Sequence, residues 1–420
     1  MSAGSRPLSP PESAGEPGFI ILLTAEGGCA PDLSRRIAAV LAARSTGARC
    51  WHAGGALRIF AKSGWPLSRD DQDPDDRTAI LGRAYFRDGL GTEGARGAEA
   101  ADIRALPPPV LVRTLWGSYV AVRQTGRAVT IFRDPGGGVP LYCAEGDGFA
   151  LLGSALPRWL LDAADLRPQI DFDALAGAVL APVSATYRSM LKGVRILAAG
   201  QAVTWRDGGL EAPRSWWPDE LGPVVATRSD DQAAAELAAT AQSCCRALAR
   251  PHQRVTIELS GGFDSSIVTA LLAGRESVDL SAVNFVPEHS SGDERLHARN
   301  VAERWGARLV EVTACAADLD FATLFGSAAV EPLFYGLDPV VERASTGVAR
   351  AFESSAIFTG QGGDAVFYNL ATPAVAADHM RAHGLRSLVS PTMLDTAHRI
   401  RTSVWAVQAA MLRDRFVRRR

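Results

Sequence analysis

Apolar residues follow two patterns along the chain. Before residue 210 they come in short runs broken by glycine-rich turns, and after residue 230 strand-length and helix-length blocks alternate. Phe19-Ile20-Ile21-Leu22-Leu23 is an unbroken apolar run and reads as a buried strand. Residues 31–44, PDLSRRIAAVLAAR, place apolar side chains three to four apart behind a proline, the pattern of a helix. Strands are expected at 57–61, 115–124, 128–132, 141–143 and 149–153, separated by turns at Gly126, 134–138 and 145–148. Further helices are expected at 75–88 and 171–180, and two more strands at 194–197 and 201–205. No helix pattern follows Gly136-Gly137-Gly138, so these glycines read as a hairpin turn and not as a phosphate loop.

The second pattern begins after a stretch rich in Pro, Trp and charge at 211–229, which reads as a linker. An Ala-rich helix is expected at 230–250. Strands at 254–259, 279–286, 308–312 and 356–359 then alternate with helices at 265–273, 293–305 and 340–353. That alternation predicts a parallel, doubly wound α/β sheet. The expected organisation is a disordered tail over 1–18, a strand-rich domain over 19–210, the linker, and an α/β domain over 230–420.

Composition narrows the function. The 420 residues are 47% hydrophobic and 21% charged with a formal net charge of -2, which gives no electrostatic case for nucleic acid or an anionic membrane as partner. The basic run Arg413, Arg415, Arg418, Arg419 and Arg420 reads as a solvated tail. Six cysteines show no CxxC spacing, so neither a zinc site nor a disulfide framework is expected, and a reducing cytoplasm is the expected location. The run Phe19–Leu23 is too short for a signal segment or a membrane span.

The chemistry gathers where the strand at 254–259 meets the next helix: Ser260-Gly261-Gly262-Phe263-Asp264-Ser265-Ser266. A strand end, a glycine-rich turn and a helix N-terminus form an anion site, because unpaired N–H groups and the helix dipole favour negative charge. The glycines let the backbone approach an oxyanion, and Ser260, Ser265 and Ser266 add hydroxyl donors. Asp264 would repel a phosphate unless it holds a divalent cation bridging to it. Neither GxxxxGK[ST] nor GxGxxG is present, and Lys62 and Lys192 are the only lysines. The plainer alternative is a strand-to-helix turn capped by serine. A second loop, Thr359-Gly360-Gln361-Gly362-Gly363-Asp364, also follows a strand. In a parallel sheet it would face the same crevice and bring Asp364 to Asp264 around Mg²⁺.

The first loop resembles the SGGxDS pyrophosphate loop of the ATP pyrophosphatase superfamily, and the two loops together resemble the asparagine synthetase family. Before the linker, Leu115-Trp116-Gly117-Ser118-Tyr119-Val120, Phe132-Arg133-Asp134-Pro135 and the stretch from Ile170 through Arg195 are similar to that family's N-terminal glutaminase-like domain. The resemblance implies an Ntn-hydrolase-like α/β sandwich followed by an ATP-using domain of the adenine nucleotide alpha hydrolase kind. It implies ATP and Mg²⁺ as cofactors and Asp264 and Asp364 as catalytic, metal-holding residues. It places Ser260, Gly261, Gly262, Ser265, Ser266, Thr359 and Gly360 on the nucleotide, and Val283 against adenine.

Two departures sharpen the expectation. Glutamine-hydrolysing members expose a cysteine as first residue, whereas here Ser2 stands second and the first cysteine is Cys29, so the glutaminase half is expected to be degenerate. The amine should then come from the substrate itself. Gly292-Asp293-Glu294-Arg295 and Gly362-Gly363-Asp364-Ala365-Val366-Phe367 resemble stretches of the lasso peptide macrolactam cyclases, although capping of the following helix by Asp293 and Glu294 is the simpler role for those two acids. The β-lactam synthetases resemble it less, since they carry a Tyr where this chain has Gln361. The family also places a lysine beyond the second loop, and no lysine follows Asp364 here, so an arginine stands in or the chain stops short. The expected partners are a precursor peptide, with a leader-binding protein and a leader peptidase, and neither nucleic acid nor membrane. A ligase using ammonia or a small amine, and a nucleotide-binding remnant serving as scaffold, are the alternatives.

Overall fold

The computed structural model describes residues 16–25, 30–44, 47–54, 56–73, 75–90, 95–180, 188–216, 229–273, 278–287, 292–313, 315–318, 338–366 and 372–417. The first half runs β1 (Phe19–Thr24), α1 (Ala30–Ala43), β2 (Arg49–Gly54), β3 (Leu57–Ala61), β4 (Leu67–Asp73), β5 (Asp76–Phe86), α2 (Ala100–Ile103), α3 (Pro108–Thr114), β6 (Leu115–Thr125) and β7 (Ala128–Arg133). It continues through β8 (Tyr142–Gly146), β9 (Phe149–Gly153), α4 (Arg158–Ala163), α5 (Phe172–Leu180), β10 (Val194–Ile196), β11 (Gln201–Arg206), β12 (Gly209–Leu210) and β13 (Arg214–Ser215). These strands form two antiparallel sheets, ordered β10-β8-β9-β1-β3-β2 and β12-β11-β7-β6-β5-β4, with β13 paired to β11.

Four layers result. All six residues of β1 are buried because both of its faces are covered. Phe19, Ile21 and Leu23 pack between the sheets with Leu81, Val120 and Val122. Ile20 and Leu22 face Leu33 and Ile37 of α1 and Leu160 of α4. On the outer face of the second sheet, Ile80, Phe86 and Tyr119 pack on Ile103 of α2 and Leu111 of α3.

The structure corrects two sequence expectations here. Residues 75–88 are not a helix: Asp76–Phe86 is a strand paired residue by residue with β6. It lies between two cores, so its apolar residues do not alternate, which removes the period that marks a strand. The glycines at 136–138 are not a hairpin turn, because β7 and β8 belong to different sheets and the loop crosses between them. In that loop Asp134 is fully buried, with its Oδ2 accepting from Tyr119 N at 3.2 Å. Burial pushes its carboxyl pKa up, opposed by backbone N–H groups and the Arg133 charge. A raised folded-state pKa gives stability that is full below the usual carboxylate range and lost as pH rises through the raised value. Asp134→Asn is therefore expected to flatten the fall in melting temperature on moving from pH 4 toward neutrality, as read by thermal melts across pH.

Within the stretch read as a tail, residues 16–18 are tied down: Gly18 N donates to Ser154 Oγ at 2.8 Å. Within the stretch read as a linker, Arg214–Ser215 pairs with β11 and Trp216 packs on the outer core, while 217–228 lie outside the described residues. Tyr85 Oη donates to Ala247 O at 3.1 Å and so joins the first half to the second.

The second half opens on α6 (Asp230–Ala249), capped reciprocally by Ser229 and Gln232. It continues through β14 (Arg254–Glu258), α7 (Phe263–Ala273), β15 (Asp279–Val286), α8 (Arg295–Trp305), β16 (Arg308–Thr313), α9 (Asp338–Ala351), β17 (Ala356–Thr359) and α10 (Gly363–Val366). The four strands are parallel in the order β16-β15-β14-β17. The chain thus winds outward from β14 to β16 and then crosses back to β17 on the other side of β14. Three helices that the sequence pattern did not mark, α11 (Ala374–His383), α12 (Pro391–Arg399) and α13 (Val404–Val417), close on one another through Ala376, Met380, Met393, Ala397, Val407 and Met411.

Candidate active site

The direction of winding reverses between β14 and β17, and ligands of such sheets bind at that reversal beyond the carboxyl ends of the strands. The two glycine-rich loops are the segments that leave these two strands. Their glycines allow them to touch. A Cβ on Gly360 would lie 2.5 Å from Ser265 N, and one on Gly363 would lie 2.3 Å from both Cγ and Oδ2 of Asp264. The second loop is therefore seated on the first turn of α7 and on the Asp264 carboxylate. Gly261, at φ +82°, approaches α8 so closely that a Cβ would meet Ala298 N at 2.5 Å.

The serines order the first loop. Ser260 Oγ and Ser265 Oγ lie 3.1 Å apart, and Gly262 N donates to Ser260 Oγ at 3.2 Å. Thr269 Oγ1 donates to Ser265 O at 2.7 Å. Ser266 Oγ is buried and makes no hydrogen bond among the described residues. Val283 is fully buried and its carbonyl accepts from Leu259 N at 2.9 Å, while its neighbours Asn284 and Phe285 line the cavity.

A cavity of about 1080 Å³ opens over these loops. Ser260, Gly262, Asp264, Ser265, Thr359, Gly360, Gly363 and Asp364 line it, so the structure brings most of the expected site residues to one space. Residues without a motif line it too, namely Leu237 and Ala241 on α6, Glu258 and Arg399, and so does Glu294 of the Gly292–Arg295 stretch. Glu258 Oε1 accepts from Ser345 Oγ at 2.5 Å. Asp293 is engaged locally, with Arg295 Nη2 and Nε closing on its carboxylate at 2.6 and 2.9 Å. Hydrogen bonds and charge from Arg295 pull its pKa down to about 2. Glu294, not Asp293, faces the cavity, and no sequence signal separated the two.

Asp264 and Asp364 are the pair that could hold a metal. Among the described residues no cluster of three or more His, Cys, Asp or Glu forms a protein cage for one. Two hard carboxylates beside a phosphate-type loop suit Mg²⁺, which keeps several waters and draws remaining ligands from phosphates. In the first half the described cysteines are Cys50, which is exposed, and Cys143, which lies between the sheets. Burial pushes the Cys143 thiol up to about 12, leaving it un-ionised at neutral pH.

Residues 236–419 match the asparagine synthase family model, which supports an asparagine synthase family domain over that stretch. Among solved structures, the chain is similar at 15% identity and a TM-score of 0.26 to a glutamine-dependent NAD+ synthetase from Acinetobacter baumannii in complex with ADP. That match covers 49% of this chain and 44% of the synthetase, less than half its length. It is similar at 10% identity and a TM-score of 0.27 to glutamine phosphoribosylpyrophosphate amidotransferase from B. subtilis, complexed with ADP and GMP, over 82% of this chain and 84% of that one. No curated protein matches the chain. Among the described residues, no helix is long and apolar enough to cross a membrane.

Proposed function

We propose that this chain is an ATP-dependent carbon–nitrogen ligase that activates a carboxylate as its adenylate and passes it to an amine. The supporting observation is the seating of Gly360 and Gly363 on the first turn of α7, which puts two carboxylates and a helix N-terminus in one cavity. The loop Ser260–Ser266 would hold the phosphates through backbone N–H groups and hydroxyls. Asp264 and Asp364 would hold Mg²⁺, which supplies charge neutralisation on the phosphates when bound. A carboxylate oxygen of the substrate attacks the α phosphorus and pyrophosphate leaves. The amine then attacks the acyl carbon, AMP leaves, and the amine gives up a proton.

The finer reading is that carboxylate and amine belong to one peptide, an Asp or Glu side chain and the free N-terminus, joined as the isopeptide macrolactam of a lasso peptide. The Gly292–Arg295 and Gly362–Phe367 stretches support it. A leader-binding protein and a leader peptidase would deliver the peptide in the cytoplasm. The test is pyrophosphate release from ATP and Mg²⁺ with the processed precursor peptide, with ammonia plus aspartate, and with no acceptor. Release with the peptide, and a product lighter than it by one water, supports the reading. Turnover only with ammonia plus aspartate would replace it by an amidotransferase, and no release with any acceptor would favour a scaffold.

A further inference from the structure

We infer that Glu258, the last residue of β14, takes the proton that the amine gives up when it attacks the activated carboxyl. The inference rests on the ligase reading above and supplies the residue its second step lacks. In that step the nitrogen bonds the acyl carbon, and the acyl C–O bond breaks with its electron pair leaving on AMP. One N–H proton must then go to a base. A free N-terminal amine is largely protonated at neutral pH, so it arrives as an ammonium and loses a first proton to solvent before attacking. A carboxylate serves both stages. It draws the ammonium in, and it accepts the second proton once bonding to carbon has made the nitrogen strongly acidic.

Glu258, Asp264, Glu294 and Asp364 are the acids that line the cavity among the described residues, and their positions separate them. Asp264 and Asp364 belong to the two glycine-rich loops and are assigned to the metal above. Glu294 is exposed at the start of α8. Glu258 sits in the middle of the sheet, with Val283 as its Cα partner on one side and Thr359 on the other. Val255, Ile257 and Leu259 turn toward Leu272 of α7 and Ala298 of α8. Side chains alternate along a strand, so Glu258 points to the opposite face. There Ser345 of α9 donates from Oγ to its Oε1 at 2.5 Å. Ser345 is 2% exposed, which makes its hydroxyl a fixed support. Among the described residues Oε2 accepts no hydrogen bond and no cation is paired with the carboxylate. The phosphate loop thus lies on the α7 side and this carboxylate on the α9 side, which limits its repulsion of the phosphates. A half-buried carboxylate without a cation costs stability, and such a break in an apolar strand is expected where it serves function.

The experiment separates the two steps in the parent and in Glu258→Gln, with the processed precursor peptide or with aspartate plus ammonia, whichever the parent turns over. Activation is read by ATP–pyrophosphate exchange with the amine withheld, by acetylating the peptide N-terminus or leaving out ammonia. Transfer is read by the amide product. Glu258→Gln is expected to keep the parental exchange rate and to lower amide formation by about a hundredfold or more, the scale of losing a positioned base. Its melting temperature should not fall, because Gln keeps the oxygen that Ser345 bonds. Hydroxylamine, a nucleophile already unprotonated at neutral pH, should trap the activated carboxyl as a hydroxamate equally well in both proteins. If Glu258→Gln forms the amide at the parental rate, the inference fails and the ATP reading stands. If exchange falls together with amide formation, Glu258 serves activation or folding and the inference fails likewise. If the parent neither exchanges pyrophosphate nor forms an amide, both fail.

Discussion

Asp264→Asn is expected to abolish pyrophosphate release while leaving the fold intact. The change keeps the shape of the side chain and removes its charge. Asp264 sits in the first turn of α7, where an acid gains no more than about 1 kcal/mol from the helix dipole at a partly exposed site. The melting temperature should therefore fall by only a few degrees. Catalysis is far more exposed to the change, because a neutral amide binds Mg²⁺ much more weakly than a carboxylate, and loss of charge stabilisation at the phosphates costs at least about a hundredfold. Asp364→Asn should behave alike, since its loop is seated on the Asp264 carboxylate through Gly363. Both variants need measuring by pyrophosphate release alongside thermal melts. Full activity in both would remove the metal assignment.

Gly261→Ala is expected to fail differently, by losing the fold. At φ +82° an alanine is strained, at a cost of about 1–3 kcal/mol. Its Cβ would also stand 2.5 Å from Ala298 N and from His297 C, which are backbone atoms and cannot swing aside. Displacing α8 from the loop adds to the strain, for a total of about 3–5 kcal/mol, within the range seen for severe core changes. Chemical denaturation should show a much lower midpoint, with pyrophosphate release lost in proportion. Gly363→Ala is the contrast: its Cβ meets the end of the Asp264 side chain, which can rotate away. That variant should keep its stability and lose activity, because a carboxylate displaced by about 1 Å no longer meets the phosphates correctly. An unchanged midpoint for Gly261→Ala would show that the loop does not press on α8.

Much of the site was legible because its chemistry is local. Ser260–Ser266 combines a strand end, a tight turn and a helix start within seven consecutive residues, and each step has its own side-chain signal. The same holds for the strands of the parallel sheet, whose apolar runs end at turns. β5 was misread because a strand buried on both faces shows no alternation, and Gly136–Gly138 because a turn's composition does not say which sheet receives the next strand. Glu294 and Asp293 are neighbours of the same type, and only the engagement of Asp293 by Arg295 separates them.

By itself the sequence determined the repertoire: two glycine-rich loops after strands, an acid in each, serines around the first, and one change of texture near residue 230. Only the tertiary structure decided that these loops meet. β14 and β17 are about a hundred residues apart and become neighbours because the chain, after winding outward through β15 and β16, crosses back beside its first strand. Arg399 reaches the same cavity through the packing of three helices with no motif of their own. Periodicity and turn chemistry act over a few residues. Strand order and helix packing are settled by burial across the whole domain, where no local signal records the outcome.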